Sequence, residues 1–231
     1  MAAINHLFTA NEEARLQSLQ AIDLQTALQE PLFQRLVDLA AQVFNLPISF
    51  LSVVERGHVD FAVTHGISTL PDVPREETLC AIPVRNADTF IVNDVNATGM
   101  SVHRQTADKL GLVFYAGTPL LVHNEFAVGA LCVSDTSSRQ FSEVEQQVLE
   151  SLAALISRAF VTRQLALQQP DGQRVWKYTQ DIATQEVSSL EALIRYLANR
   201  HGQQLSATPA ILGVVQRRLT DLTELLLGSE Q

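Results

Sequence analysis

The stretch FYAGTPLLVHNEFAVGALCVSD at residues 114–135 decides the fold class. Two β-rich runs, at 114–123 and 127–134, flank the polar pair Asn124-Glu125. Runs of this kind on either side of a short polar turn predict two antiparallel strands joined as a hairpin. Cys132 alternates with apolar neighbours in the second run, which indicates a packing residue of the core.

A long helix is predicted directly after this hairpin. Ser142 and Glu145 have the spacing of a capping box, and an apolar stripe runs from there to the breaker QQPDG at 168–172. Two further patterns, over 174–201 and 208–228, repeat apolar residues at intervals of three and four. These patterns predict an α-helical hairpin or small bundle after the long helix.

Helical and strand patterns also precede the hairpin. The periodicity predicts helices over 11–29 and 31–45, with Pro31 in the first turn of the second. Further on, the pattern predicts strands at 48–55, 59–64 and 90–92, an irregular loop at 66–79 and a short helix within 100–110. Strands in runs framed by helices predict an α+β fold, an antiparallel sheet with helices packed on one face.

The distribution of charge suggests two segments and excludes some partners. The net charge is -9, and no basic run exists, so we expect neither nucleic acid nor an anionic membrane surface as a partner. Residues 1–173 carry the whole negative charge, whereas 174–231 are neutral. We therefore expect a domain at 1–168 and a helical tail at 174–231.

Cysteine and histidine usage points to an intracellular protein without a metal site. The two cysteines cannot form a disulfide framework, and none of the six histidines has a known metal-ligand spacing. The N-terminus lacks the pattern of a signal peptide, and no apolar run is long enough to span a bilayer. The expected location is the cytoplasm, and the sequence leaves the identity of any cofactor unknown.

Several motifs together resemble the GAF domain family of bacterial sensory proteins. They cover about residues 12–160, in this order: EEARLQSLQAIDLQ, LFQRLVDLAAQVFNLPISFLSVVE, PREETLC, IVNDV, FYAGTPL, GALCVSD and RQFSEVEQQVLESLAALIS. The resemblance implies a six-stranded antiparallel sheet, a helical bundle behind it and a pocket on its front face. It also implies a regulatory role, in which the domain binds a small molecule or mediates dimer contacts.

This chain differs at two places, both near the expected pocket, from the GAF subfamily that it resembles. Where that subfamily commonly has an aromatic-rich segment with a tryptophan, this chain has GHVDFAVTHG at 57–66, which keeps only Phe61. Leu79 stands where a phenylalanine commonly precedes the loop cysteine. These departures predict a smaller and less aromatic pocket.

Eight residues are candidates for ligand contacts in this front pocket. His65 and His103 can offer hydrogen bonds, and Arg75 can bind an anion. The full candidate set is Phe61, His65, Arg75, Cys80, Asp94, His103, Tyr115 and Asp135. Structural alternatives remain open for most of them: solvated loop histidines, a surface ion pair for Arg75, and turn caps for the two aspartates that follow strands.

Cys80 is the candidate for covalent chemistry. A nucleophilic cysteine needs a nearby cation that lowers its pKa, and Arg75 is close in sequence. Some GAF photoreceptors attach a bilin to a pocket cysteine that His usually follows, but Ala81 follows here. A buried packing role is the alternative. The chain matches the motif of cyclic-nucleotide-binding GAF domains only in part. The matching residues near Ser142 are also accounted for by their role at the start of the helix there.

Three functional hypotheses follow. The first is a non-catalytic sensory module in which a small molecule or a partner protein acts on the pocket loops and the helix at 142–168 relays the change. The second is a dimerisation and docking platform with a collapsed pocket. The third is a thiol or redox enzyme built on Cys80. The apolar residues of the tail helices can pack in a core and can also face a second copy, and a homodimer is expected in the first two cases.

Overall fold

The computed structural model describes residues 8–99, 103–122, 125–201 and 208–228, with side chains up to 197 in the third range and up to 226 in the fourth. The helices are α1 Glu12–Ala21, α2 Leu24–Ala27, α3 Pro31–Phe44, α4 Ala81–Asn86, α5 Gln105–Leu110, α6 Glu143–Leu167, α7 Gly172–His201 and α8 Pro209–Gly228. The strands are β1 Ile48–Val54, β2 His58–His65, β3 Leu70–Pro74, β4 Phe90–Val92, β5 Phe114–Val122 and β6 Phe126–Asp135.

The six strands form one antiparallel sheet in the order β3-β2-β1-β6-β5-β4. The predicted hairpin is confirmed as β5 and β6, which pair along their whole length. Its turn at 123–124 lies outside the described residues. The pairing shifts by one residue beside Gly129, where a Cβ atom would lie 2.0 Å from the Ser52 carbonyl oxygen. A glycine is needed there because the backbone of β1 approaches so closely.

Alternation along the strands gives the sheet two apolar faces. In β1, Leu51 and Val53 point to the core shared with the helices, and Phe50 and Val54 point to the opposite face. We call that opposite side the front. The predicted α+β architecture, with a helical layer behind a six-stranded antiparallel sheet, is confirmed.

The start of α6 agrees with the capping box expected from the sequence. The Ser142 hydroxyl accepts a hydrogen bond from the Glu145 amide at 3.3 Å, and the Glu145 carboxylate accepts one from the Ser142 amide at 2.8 Å. Phe141, just before the cap, packs on Phe44 and Phe114 with ring centroids 5.2 and 5.5 Å away. The cap and the aromatic contact fix the direction of α6 across the sheet.

The tail helices pack on the helical layer instead of extending away from it. A void of only about 10 Å³ is walled by residues from four helices, α3, α6, α7 and α8, namely Leu32, Leu36, Leu155, Ala159, Ala183, Val187, Leu222 and Leu226. Most of the apolar seam of the tail is buried in this core, through Val187, Leu190, Leu212, Val215, Leu219, Leu222 and Leu226. Ile194 and Leu197 of the same seam are partly buried against it. The seam is buried because α3 and α6 of the same chain cover it.

Two local expectations were wrong in detail. The helix predicted over 11–29 is interrupted at Ile22 and Asp23, where Asp23 has a φ of 45° and begins the single turn α2. The segment predicted as a loop at 66–79 contains the edge strand β3, whose two prolines are tolerated because an edge strand leaves amides unpaired. Within the described ranges, no helix is both long and apolar enough for a bilayer crossing.

Candidate functional site

Three of the eight predicted site residues meet on the front of the sheet, in a closed core. Phe61, Cys80 and Tyr115 are 2%, 1% and 1% exposed. Phe61 stacks on Phe50 with ring centroids 4.6 Å apart. We call Phe50, Phe61, Cys80, Tyr115 and Cys132 the front core. These side chains are almost fully buried, and Phe61 also borders the groove described below. A ligand reaches Cys80, Tyr115 and Cys132 only if the core opens.

Sheet pairing brings Cys132 close to Cys80, a neighbour that the sequence did not predict. The two sulfur atoms lie 3.9 Å apart, and the Tyr115 hydroxyl lies 3.2 Å from Cys132 Sγ. The tyrosine ring lies over Gly117, where a Cβ atom would be 2.2 Å from the hydroxyl. Gly117 is paired with Cys132 across the hairpin. Because Gly117 has no side chain, the Tyr115 ring can lie over it and bring its hydroxyl close to Cys132.

Burial sets the ionisation of this thiol cluster. For Cys80, burial raises the pKa, but hydrogen bonds from Cys132, Thr78, Tyr115 and Ser52 lower it, and the net direction is downward. Burial, together with Cys80, raises the pKa of Cys132, and burial raises the pKa of Tyr115 well above its usual value. Cys80 would therefore ionise first, yet both sulfurs are shielded from reagents.

Thiol labelling tests whether the front core is closed. We expect a disulfide reagent such as DTNB to modify Cys80 and Cys132 in the native protein at a rate on the order of a thousand-fold below that in urea, as for groups exposed only by an opening that costs ~4 kcal/mol. Rapid stoichiometric labelling near neutral pH, without denaturant, would contradict this and favour a thiol enzyme.

The structure places Arg75 in an ionic cluster at the N-terminal helix. Its guanidinium bonds to Glu12 Oε1 at 2.5 Å and to the Glu55 carbonyl oxygen at 3.1 Å. Arg15 bonds to the same Glu12 carboxylate at 2.8 Å and to the Val54 carbonyl oxygen at 2.8 Å. Both arginines are buried. Arg75 therefore anchors α1 to the sheet, and nothing places it beside Cys80 as an activating cation.

Electrostatics within this cluster favour the charged form of its carboxylate. Burial raises the pKa of Glu12, but hydrogen bonds and charge from Arg15 and Arg75 outweigh it and lower the pKa to about 2. Burial lowers the pKa of Arg75, and Glu12 opposes that change. One carboxylate thus compensates two buried cations, so the cluster depends strongly on Glu12.

The other four predicted residues have structural partners at separate places. His65 faces the helices and bonds to Asp38 of α3 at 2.9 Å, and His103 Nδ1 lies 2.9 Å from the Glu76 carbonyl oxygen. Asp94 caps a short helical turn, and Asp135 accepts a hydrogen bond from the amide of the second residue after it. These partners match the turn-cap alternative for the aspartates and show that the eight residues do not converge on one pocket.

A groove beside the β2–β3 edge of the sheet was not predicted from the sequence, although one of the eight predicted site residues, Phe61, lines it. It has a volume of about 590 Å³ and lies between α1, α2 and the strands β2 and β3. We call it the lateral groove, defined by its lining: Leu19, Gln20, Asp23, Leu24, Gln25, Leu28, Gln29, Val53, Glu55, Asp60, Phe61, Ala62, Thr69 and Pro71. Half of these fourteen residues are apolar and half are polar, with three carboxylates and no basic residue in this lining. Such a mixed lining suits a small molecule that has both an apolar body and polar groups.

Glu30 connects the wall of this groove to the helices of the tail. The groove-lining residues of 24–29 immediately precede it. One carboxylate oxygen accepts a hydrogen bond from Arg163 of α6 at 2.5 Å. The other accepts bonds from the Trp176 indole at 2.6 Å and from the Gln180 amide at 2.7 Å, both on α7. A movement of the groove wall formed by α2 and the residues up to 29 would therefore change the contacts of Glu30 with α6 and α7.

A second cavity of about 720 Å³ lies between β5, α6 and α8. Part of its polar lining is bonded internally: Thr89 contacts Thr118 at 3.0 Å and Glu150 at 2.8 Å. Glu150 also accepts a bond from Gln146 at 2.8 Å. Arg158 lines this cavity as well, but we place the candidate ligand site in the lateral groove because its wall adjoins Glu30, which bonds to both α6 and α7.

Comparison with known proteins finds several to which this chain is similar. A curated relative, a cyclic di-GMP phosphodiesterase of Pseudomonas aeruginosa, is 26% identical over 153 residues, which are 64% of this chain. The match spans about a quarter (26%) of that relative's length.

Two solved structures are also similar to this chain. A type II free methionine-R-sulfoxide reductase from Thermoplasma acidophilum has 17% identity and a TM-score of 0.49, with 60% of this chain and 95% of that chain covered. The GAF domain of an Acinetobacter phosphoenolpyruvate-protein phosphotransferase has 13% identity and a TM-score of 0.46, with 62% and 90% covered. The GAF domain family model matches residues 29–160, more than half of the chain. This chain therefore belongs to the GAF domain family.

Proposed function

We propose that this protein is a non-catalytic sensory module that binds a small molecule in the lateral groove and relays its presence to the tail helices. The observation that carries the proposal is the set of bonds from Glu30 to Arg163, Trp176 and Gln180. They connect the α2 wall of the groove to both α6 and α7. A ligand that shifts this wall has a contiguous route to the tail, as a coupled site requires.

The lining of the groove favours an organic cation with an apolar body. Asp23, Glu55 and Asp60 contribute carboxylates, while Leu24 and Leu28 contribute apolar surface. A volume of about 590 Å³ admits a molecule of drug size or smaller. Carboxylates attract a cation and repel an anion of the same shape, so charge should decide which ligands bind.

Closure of the front core supports a non-catalytic role. The thiol of Cys80 is 1% exposed, and Arg75, the cation once expected beside it, is bound to Glu12. A thiol enzyme needs a reactive and accessible sulfur. A cytoplasmic location is part of the proposal.

A matched pair of probes tests the proposal. Phenethylamine and phenylacetate share an aromatic body and differ in charge, and Trp176 is the sole tryptophan of the chain. We expect phenethylamine, but not phenylacetate, to bind saturably by calorimetry and to change the Trp176 emission. Ala62→Phe, which fills the groove, should abolish binding. Equal binding of both probes, or binding that survives Ala62→Phe, would contradict a cation site in the groove.

The variant Glu30→Gln distinguishes ligand binding in the groove from transmission of that binding to the tail helices. Loss of the carboxylate removes the charge partner of the buried Arg163, and we expect a loss of about 1–3 kcal/mol in the free energy of unfolding. Phenethylamine should still bind with an unchanged Kd, but the Trp176 response should shrink. Glu13→Gln, at an exposed position, serves as the control. A full Trp176 response in Glu30→Gln would exclude Glu30 as the relay.

A docking platform is the second candidate function, and it includes the homodimer. The closed front core favours it, as do Tyr178 and Tyr196, which are 69% and 58% exposed on α7. They are eighteen residues apart, which is five helical turns, so they lie on one side of the helix. If a second copy docks there, native mass spectrometry should show a dimer that Tyr178→Glu with Tyr196→Glu dissociates. A wild-type monomer at micromolar concentration would exclude it.

A further inference from the structure

Three side chains with metal-binding groups meet at the sheet edge formed by β2 and β3. His58 Nε2 lies 3.9 Å from Asp60 Oδ2 and 3.7 Å from Asp72 Oδ1. One ligand atom from each residue lies within 4.8 Å of the other two. No metal-ligand spacing is visible in the sequence because two of the ligands alternate on β2 and the third comes from the neighbouring strand.

The backbone holds the two carboxylates in place. The Asp72 amide donates a hydrogen bond to Asp60 Oδ1 at 2.8 Å. That bond occupies one Asp60 oxygen and leaves Oδ2, the oxygen within 3.9 Å of His58, for another partner. Asp72 itself has a φ of 55°, and its side chain is 84% exposed, so its carboxylate can move without disturbing a core.

We propose that His58, Asp60 and Asp72 bind a divalent transition-metal ion of the Zn²⁺ class. Zinc bonds to nitrogen and oxygen are about 2.0–2.2 Å long, which places tetrahedral ligand atoms about 3.4 Å apart. The two distances from His58, 3.7 and 3.9 Å, require closure by only a few tenths of an ångström. The Asp60 and Asp72 oxygens lie within 4.8 Å of each other and must approach by at most about 1.4 Å, which the exposed Asp72 side chain can supply. An imidazole with two carboxylates suits zinc better than magnesium or calcium, which prefer oxygen ligands alone.

The position of this metal site gives it an open coordination place beside the lateral groove. Three protein ligands leave a fourth position for water or a bound molecule. Asp60 also lines the groove, and so does Pro71, the neighbour of Asp72. A bound ion would reduce the negative charge of the groove at one end. The metal site stands on its own three side chains and does not depend on the groove as a ligand site.

Titration of the full chain with Zn²⁺ alone tests the assignment. After dialysis against EDTA, calorimetry should show one high-affinity zinc ion per chain. We expect each of His58→Ala, Asp60→Asn and Asp72→Asn to weaken binding at least about ten-fold. Asp72→Asn is the safest of the three for folding because the side chain is exposed. The matched control is His65→Gln, which removes the histidine of another His–Asp pair and should leave the Kd unchanged.

Two results would overturn the metal site. The first is zinc binding that persists within about two-fold in Asp72→Asn and His58→Ala, both shown to be folded by circular dichroism. The second is the absence of saturable binding at zinc concentrations up to about 100 µM, well above the range of specific protein sites. Titration with Mg²⁺ should give no heat at the same concentrations, and binding of both ions with equal affinity would also contradict the proposed ligand set.

Discussion

Replacing Glu12 by glutamine is expected to lower the free energy of unfolding by about 3–5 kcal/mol, because it removes the carboxylate that two buried arginines share. Arg15 and Arg75 both bond to the Glu12 carboxylate and are 1% and 2% exposed. Urea denaturation followed by circular dichroism measures the change. The neighbouring variant Glu13→Gln removes an exposed ion pair with Arg56 and should cost at most about 1 kcal/mol. Equal effects in the two variants would contradict the role of the buried cluster.

The dependence of stability on pH provides a second readout for the same cluster. The folded protein lowers the pKa of Glu12 from 4.5 to about 2. A group whose pKa is depressed by folding stabilises the protein above its unfolded pKa, and that contribution is lost as the pH falls through the folded pKa. Wild type should therefore lose stability between about pH 4.5 and 2 through this group. Glu12→Gln should lack that part of the pH dependence.

Replacing Leu222 by alanine is expected to lower the free energy of unfolding by about 2–5 kcal/mol, since it enlarges a void inside a packed core. Leu222 of α8 borders the void of about 10 Å³ together with Leu36 of α3 and Val187 of α7. The matched control Leu165→Ala, at a position 38% exposed on α6, should cost less than about 1 kcal/mol. Urea denaturation followed by circular dichroism measures both variants. If Leu222→Ala and Leu165→Ala lower the free energy of unfolding equally little, the tail is not part of the core.

Local sequence signals predicted the elements whose formation depends on neighbours in the chain. The pattern of 114–135 predicted the central hairpin, and Ser142 with Glu145 predicted the start of α6. In both cases the groups that stabilise the element lie within a few residues of each other or in adjoining strands. The six-stranded sheet that connects these elements was predicted from the resemblance to the GAF family. The match of the family model to residues 29–160 confirms that resemblance.

Contacts between distant segments could not be predicted in the same way. Glu12 and Arg75 are 63 residues apart, and Glu30 and Trp176 are 146 apart. Cys80 and Cys132 meet only because α4 packs over the hairpin. An arginine or a glutamate in isolation gives no sign of such a partner. The sequence likewise did not show what packs on the apolar seam of the tail, because its packing partners on α3 and α6 lie in distant segments of the chain.

The most direct test of the central claim, that the sheet domain and the tail form one coupled unit, is urea unfolding followed by two probes. Trp176 fluorescence reports the docking of α7 at Glu30, and labelling of Cys80 and Cys132 reports the opening of the front core. We expect the two transitions to coincide in midpoint and slope. A Trp176 transition at clearly lower urea, with both thiols still protected, would contradict the claim and make the tail an independent segment.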